Sequence, residues 1–388
     1  MPLGRRGLPR TVLVLGMVSM LNDMASEMIT PLLPVFLTTA LGAGPAVVGL
    51  VEGVAQATAS IIKLISGWLA DRGWNPKLLV VSGYTTSNAA RPLIGFALGW
   101  TWVLLLRFLD RVGKGLRDAP RDALISGAVD RSTRGWAFGY HRAMDHGGAI
   151  IGPVIAFALL AAGLSMTHVF MASVVPGILV VALLLLGLPP TAPASKIEAT
   201  APTLHWRQLD RRLRALVFAT GALALATTPE VFLVLWAKSR GLAIHWVPLI
   251  WAAASAAKVL VVAPAGRLSD RMGRLPIVIG GWLLRIVLLI LLALSSDGPA
   301  TVWILFLAYA ASIALTEPAE RALIGDFAPP HQRATAFGLY HLVSGLFALP
   351  GAVLFGVVWQ GFGVTAAFFM AAALTALSAL VLVVIARR

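Results

Sequence analysis

Between Arg107 and Ile125 the chain reads Arg107-Phe-Leu-Asp110-Arg111-Val-Gly-Lys114-Gly-Leu-Arg117-Asp118-Ala-Pro-Arg121-Asp122-Ala-Leu-Ile125. Arg107, Arg111, Lys114, Asp118 and Arg121 recur at steps of four, three, four and three, which puts them on one face of a helix. A second group, Asn22, Asp23 and Glu27, sits inside an apolar run, with Asp23 and Glu27 one turn apart. A carboxylate inside a membrane is a candidate proton or cation site, and a row of cations beside carboxylates can hold a charged solute by exchanging partners. Glu230, Glu317, Glu320 and Arg321 add further charges in apolar surroundings. The chemistry on offer is ion pairing and proton exchange.

Taken alone, 107–125 looks like an amphipathic surface helix. Shifting the chain by 199 residues overturns that. Gly67-Trp-Leu69-Ala-Asp71-Arg72 meets Gly266-Arg-Leu268-Ser-Asp270-Arg271, Asp122-Ala-Leu-Ile125 meets Arg321-Ala-Leu-Ile324, and Arg134, Phe138 and Gly139 meet Arg333, Phe337 and Gly338. A constant offset marks a duplicated unit. The mate of the charged stretch is then 306–324, an apolar run long enough to enter a bilayer. If 306–324 spans a membrane, so does 107–125. Its charges must face protein or an internal water-filled cavity, because each would cost roughly 2.5–3.5 kcal/mol or more at the lipid-exposed midplane.

Composition agrees. Over 388 residues 58% are hydrophobic and 12% charged, with a mean hydropathy of +0.85; an ordinary soluble domain carries about twice that charged fraction. The net charge of +14 could suggest nucleic acid. The basic residues outside the apolar runs, however, gather at the N-terminus (Arg5, Arg6, Arg10), after every second span (Arg72, Lys77, Arg131, Arg134, Lys196, Arg207, Arg211, Arg212, Arg214, Arg267, Arg271, Arg274, Arg333) and at Arg387 and Arg388. The opposite connections carry little more than Lys238 and Arg240. That asymmetry predicts a multi-pass protein of the cell (inner) membrane with both termini cytoplasmic, and no nucleic-acid partner. The absence of cysteine excludes disulfides and thiolate metal sites. The basic start runs on through Asn22, Asp23 and Glu27 without a small-residue cleavage site, so no cleaved signal peptide is expected.

Apolar runs broken by Gly, Pro or charge predict an all-α membrane protein of twelve transmembrane helices at about 11–40, 45–70, 77–98, 100–127, 135–163, 166–188, 213–239, 245–268, 275–295, 300–325, 334–361 and 363–386. The Pro-rich, polar segment 189–212 divides them into an N-terminal six-helix bundle, 1–188, and a C-terminal one, 213–388. Gly148, Gly152 and Ala156 form a smooth stripe for close helix packing, and Pro153 bends that helix.

At these motifs the chain resembles the major facilitator superfamily of secondary transporters, over nearly its whole length. The loop element Gly67, Leu69, Asp71, Arg72 and its repeat Gly266, Leu268, Asp270, Arg271, Gly273, Arg274 are similar to the superfamily's loop motif, although Gly73 and Trp74 depart from it in the first copy. Gly139, Gly148, Gly152 and Pro153 match the superfamily's fifth-helix spacing, with Ala156 in place of a final glycine; the resemblance associates that element with exporters working as antiporters. The fourth-helix pattern fits loosely: Arg107 stands at the right distance from Gly135, but Asp110 and Arg111 replace Gln and Gly.

The resemblance implies two six-helix bundles related by a pseudo-two-fold axis, with helices one, four, seven and ten lining a cavity. The candidate solute-binding residues fall there: Asn22, Asp23, Glu27, Arg111, Lys114, Arg117, Arg121, Glu230, Glu317, Glu320 and Arg321, with Asp23 and Glu27 as the protonation site. Gly67, Asp71, Arg72, Gly266, Asp270, Arg271, Arg107, Gly148, Gly152 and Pro153 are assigned to gating. The expected activity is proton-coupled export, by antiport and alternating access, of a small polar or charged solute by a monomer in the lipid bilayer. A proton-coupled importer or facilitator of an organic anion, or efflux of a metal or metal chelate, are the alternatives. No cofactor or resident metal is expected. An intramembrane enzyme is disfavoured because no His-Glu-x-x-His, Gly-x-Ser-x-Gly or phosphate-loop motif occurs.

Overall fold

A computed structural model describes residues 8–130, 133–189, 211–327 and 333–386. The expected linker lies almost wholly outside them. Among the described residues the chain is helical and has no strand. Its helices are α1 (Arg10–Ile29), α2 (Leu33–Thr39), α3 (Pro45–Asp71), α4 (Pro76–Leu93), α5 (Trp100–Gly127), α6 (Arg134–Ala161), α7 (Met166–Ala172), α8 (Val174–Gly187), α9 (Arg211–Ala226), α10 (Glu230–Ser239), α11 (Val247–Met272), α12 (Arg274–Leu294), α13 (Pro299–Phe327), α14 (Arg333–Phe362) and α15 (Val364–Ala386).

These are the twelve expected spans, three of them split. Proline explains each split, since it lacks an N–H and its ring collides with the carbonyl four residues back. The first span breaks at Thr30-Pro31-Leu32 and the seventh at Thr227-Thr228-Pro229. In the sixth, Pro176 faces the carbonyl position of Ala172, where α7 ends. Breaks in the first and seventh spans occupy corresponding places on the 199-residue offset, Thr30 aligning with Pro229.

Among the described residues, ten helical stretches are long and apolar enough to cross a membrane. The two spans that fail that test are α4 and α5, which carry Asn88, Arg91 and the charged series. The sides of the helices explain how α5 can still cross. Trp102, Leu105, Phe108 and Leu109 are exposed, whereas Arg107, Asp110, Arg111 and Arg117 are buried inside protein. The helix is amphipathic inside out. Elsewhere the outward faces are apolar too, as with Leu64, Ile65 and Trp68 on α3 and Leu283, Val287 and Leu291 on α12, which suits lipid as the neighbouring solvent.

The chain divides into two compact units. The first takes the chain up to Ile29, Ile62–Ala97, and the residues from Leu105 onward through α5, α6, α7 and α8. In it α1 packs along α6 and α8, and α4 along α8, around a core that includes Val12, Leu15, Tyr84, Val180 and Leu184. The second takes Thr30–Ile61, Leu98–Leu104 and the residues from α9 onward. There α9 packs on α14 and α15, and α13 on α11 and α12, around Leu223, Trp282, Leu323 and Leu382. The duplication reaches individual contacts: a Cβ on Gly67 would lie 3.6 Å from Ala119, and one on Gly266 would lie 3.8 Å from Pro318, the same pair displaced by 199 residues. Gly42 and Gly241, also 199 apart, both close a helix at positive φ (64° and 88°), where a side chain would be strained.

Candidate functional site

The first unit holds a buried network of charge built from α1, α4 and α5. Asp110 is fully buried, and three guanidinium groups converge on it. Arg91 of α4 donates from Nε at 2.9 Å, Arg107 donates from one turn earlier at 3.1 Å, and Arg111 lies at 3.7 Å. Arg91 also donates to the Asn22 side chain at 2.9 Å and to the Asn22 carbonyl at 3.2 Å. Asn22 in turn accepts from Asn88 at 3.3 Å and donates to Asp23 at 3.1 Å. One carboxylate thus ties three helices together.

Close approach of α4 and α5 makes this possible. Gly83 and Gly113 face each other so tightly that a Cβ on Gly83 would lie 2.6 Å from the Gly113 carbonyl. Ser87, at the same crossing, donates to the Asp110 carbonyl at 2.8 Å and accepts from Arg117 at 2.6 Å. Arg117, 2% exposed, stacks over the Tyr84 ring with its guanidinium carbon 4.5 Å from the centroid. Its Nε has no hydrogen-bond partner among the described residues. Lys114, one turn earlier and half-buried, makes no ion pair among them. Further along α5, Arg121 is taken by its own neighbours, Asp122 at 3.0 Å and Asp118 at 3.7 Å.

Asp23 and Glu27 are both half-buried. The charges acting most strongly on Asp23 come from three helices: Asp145 of α6, Lys114 and Arg117 of α5, and Arg91 of α4. Asp145 accepts a hydrogen bond from Ser19 of α1 and has His141 and Arg142 each at 3.6 Å. Glycines set the distance between those helices, because a Cβ on Gly148 or Gly152 would strike the backbone of Met20 or Met24. Pro153 is buried on the same side of α6. Gly139, by contrast, has open space around its Cβ position.

In the second unit the charges form smaller groups. Glu230 opens α10 directly after the Pro229 break and pairs with Lys258 of α11 at 2.7 Å. Glu317 pairs with Arg321 one turn on, at 2.5 Å. Glu320 accepts from the Trp282 indole at 2.8 Å, and Arg285 donates to Thr316 at 3.1 Å. Of the loop residues, Arg72 is exposed and lies over the Trp68 ring, 3.9 Å from its centroid. Asp270 and Arg271 are exposed at the end of α11, and the Asp71 side chain lies outside the described residues.

The sequence alone marked Asn22, Asp23, Arg107, Arg111, Lys114 and Arg117, and the fold brings them together. It gave Asp110 no partner and did not single out Arg91. Asn88, Ser87, Tyr84, Ser19 and Asp145 went unassigned. Helical spacing does link Asn88 to Arg91 on one face, yet nothing in periodicity names a partner 19 residues away on another helix.

Two broken first-in-half helices, two loop elements at one offset and a buried charge cluster inside an apolar bundle together describe a transporter architecture. The family comparison decides it, since the model of the Major Facilitator Superfamily matches residues 15–257 and 232–388. The chain belongs to the major facilitator superfamily. It is similar to an MFS-type transporter of Methanocaldococcus jannaschii, 30% identical over 363 residues that cover 92% of this chain and 90% of that one. A protein of Mycobacterium tuberculosis is 31% identical over 361 residues, covering 90% and 87%. Among solved structures, a bacterial homologue of the human lysosomal transporter Spinster superposes with a TM-score of 0.79 at 16% identity, covering 97% of this chain and 96% of its own. A nucleoside transporter does so at 0.81 and 13%, covering 97% and 99%. The chain is therefore a membrane transporter of the superfamily, with its twelve-span fold.

Proposed function

We propose that this transporter is proton-coupled and moves a small polar or charged solute by alternating access, with Asp23 and Glu27 as the protonation site. The observation that carries the reading is Asp23 itself: a half-buried carboxylate on the first span, within the field of Lys114, Arg117 and Arg91. A proton and the neighbouring cations compete for that charge, so a solute that engages the cations alters proton binding, and the reverse holds by linkage. Solute binding is assigned to Asn22, Asp23, Glu27, Arg111, Lys114, Arg117 and Arg121, with Glu230, Glu317, Glu320 and Arg321 in the second half. Gly67, Asp71, Arg72, Gly266, Asp270, Arg271 and Arg107 would govern closure. The moving bodies would be the sequence halves 1–188 and 213–388, and the basic residues at alternate ends of the spans support termini in the cytoplasm at the cell inner membrane.

Exchange of solute for protons, hence export, is the first reading. The spacing of Gly139, Gly148, Gly152 and Pro153 supports it through its likeness to exporters. A second reading, movement of an organic anion together with protons, is favoured by the excess of buried cations around Asp110. The test is solute accumulation in proteoliposomes under an imposed pH gradient, with a panel of anions, cations and zwitterions. Asp23→Asn and Glu27→Gln should each uncouple or stop accumulation. Undiminished accumulation in both variants would contradict the assignment.

A further inference from the structure

Residues four apart on a helix lie on one face, and His141 and Asp145 of α6 use that spacing to form a buried pair to which the solute assignments give no task. His141 is 2% exposed and Asp145 8%. His141 Nδ1 stands 3.6 Å from Asp145 Oδ2, and Nε2 has no hydrogen-bond partner among the described residues. A ring nitrogen at that depth has lost its water and gained nothing in return. Packing alone would be served by an apolar side chain. Histidine is the side chain whose charge changes most readily near neutral pH, and chains of His, Asp and Glu inside membranes mark proton relays.

Two contacts connect the pair to its surroundings. On one side Arg142 lies 3.6 Å from Asp145 and is 63% exposed, and His146, one turn on, is exposed as well. Exposed Arg and His on a spanning helix mark water rather than lipid. On the other side the Ser19 hydroxyl of α1 donates to Asp145 Oδ1. Ser19 precedes Asp23 by four residues and so shares its face of α1. A Cβ on Gly148 would strike the Met20 carbonyl, and this close approach of the two backbones fixes Ser19 beside Asp145. Asp23, Ser19, Asp145 and His141 thus follow one another from the first span to the fifth.

We propose that His141 and Asp145 form a second proton-binding unit, holding one proton between them, and that the Ser19 hydroxyl joins it to Asp23, so that a proton leaving Asp23 is taken up on α6 on its way to water at Arg142. The inference rests on Asp23 being a protonation site and adds where its proton goes. Ser19 is oriented for the transfer. As its oxygen accepts a proton from Asp23, its own hydroxyl proton passes to Asp145 Oδ1, so one carboxylate loses what the other gains and no net charge is created. Asp145 then shares the proton with His141, and the two titrate as one unit. Asp145 is the neighbouring charge that acts most strongly on Asp23; negative charge on either disfavours it on the other, so a proton bound at one site eases its loss from the other. The remaining charges facing His141 are Arg121, Asp122 and Asp118 of α5 and Arg142 of its own helix. Arg121 opposes a cation on the ring but is paired with Asp118 and Asp122. The helix α7, which also touches α6, brings only His168, engaged with Ser165.

The test is a titration read at His141, free of any transport step. The full chain, with nitrogen-15 in the rings of its 7 histidines, is placed in phosphatidylcholine nanodiscs and followed by nuclear magnetic resonance from pH 4 to pH 9. His141→Gln identifies the signal. Ring nitrogen shifts report both a proton on the ring and the ionisation of a carboxylate beside it, so wild type should show a step in that range. Asp145→Asn should abolish the step or move it by about one pH unit or more, a tenfold change in proton affinity, as loss of a charge within contact distance does. Asp23→Asn should move it to lower pH, because the charge that favours a proton on Asp145 is gone. Ser19→Ala should move it to higher pH, because ionised Asp145 loses a donor, and Ser19→Thr should restore it. Asp145→Asn and Asp23→Asn keep the side-chain shape, and a single cooperative unfolding transition confirms that each variant folds.

A His141 signal that stays constant from pH 4 to pH 9 in folded wild-type protein would overturn the proposal. So would a step that stays in place in Asp145→Asn or in Asp23→Asn, even where those variants lower the unfolding midpoint, since that is what a purely structural pair would do. Loss of solute accumulation in Asp23→Asn and Glu27→Gln, beside a His141 ring blind to Asp145, would sink the inference and leave the proton-coupled reading in place. The expected step and shifts beside undiminished accumulation in both variants would sink that reading and leave the proton-binding pair.

Discussion

Asp110 is the residue on which the first unit's polar interior depends. It is fully buried and balances Arg91 and Arg107, each 2% exposed. Removing one partner of a buried ion pair strands the other, at a cost of about 3–5 kcal/mol. Asp110→Asn should therefore lower stability by about that amount, read as a fall in the thermal midpoint of the detergent-solubilised protein. Adding Arg91→Met should recover part of the loss, since it removes one of the stranded charges. Lys114→Ala should move the midpoint little, because Lys114 is only partly buried and makes no ion pair among the described residues. Equal losses from Asp110→Asn and Lys114→Ala would show that the whole row of cations is structural. Only half of this division was legible in the sequence. Spacing put Arg107, Asp110 and Arg111 on neighbouring positions of one helix, but the roles of Arg91 and Asn88 depend on a crossing fixed by Gly83 and Gly113, which no periodicity encodes.

At the scale of the element, α5 is the instructive case. Its own pattern describes a surface helix, and only its alignment with 306–324 turned it inward. The structure agrees, with Trp102, Leu105, Phe108 and Leu109 outside and Arg107, Asp110, Arg111 and Arg117 inside. Helix breaks were less legible. Pro31 and Pro229 were visible as residues, yet proline bends some helices and splits others, as Pro153 within α6 and Pro31 after α1 demonstrate. The glycines of α6 likewise differ in use. Gly148 and Gly152 touch the backbone of α1, so Gly148→Ala or Gly152→Ala should cost about 1–3 kcal/mol as overpacking. Gly139→Ala meets nothing within 4 Å and should be neutral or gain up to about 1 kcal/mol from helix propensity. Thermal unfolding of the three variants checks this. A destabilised Gly139→Ala would contradict this division, since Gly139 lies within α6 at no positive φ.

At the scale of the whole molecule the duplication was the most legible feature, since an offset of 199 residues recurs in loop motifs, in closing glycines and in the contacts of Gly67 and Gly266. The compact units cut the chain elsewhere than at the duplicated halves, grouping Thr30–Ile61 and Leu98–Leu104 with the second. Part of that grouping is a close contact between α3 and α14: a Cβ on Gly49 would strike the Ala352 carbonyl, and one on Gly356 the Pro45 carbonyl. A repeat in sequence cannot reveal such a contact, because the 199-residue offset relates α3 to α11 and α14 to α6, not α3 to α14. The account's central claim is that the Asp23 cluster links proton movement to solute movement. The most direct measurement is the internal pH of dye-loaded proteoliposomes, started without a pH gradient, when an anionic solute is added outside. The account predicts a change of internal pH that accompanies solute entry, a rise where solute exchanges for protons and a fall where the two move together, and its loss in Asp23→Asn. Solute entry with no change of internal pH, or with the same change in Asp23→Asn, would contradict it.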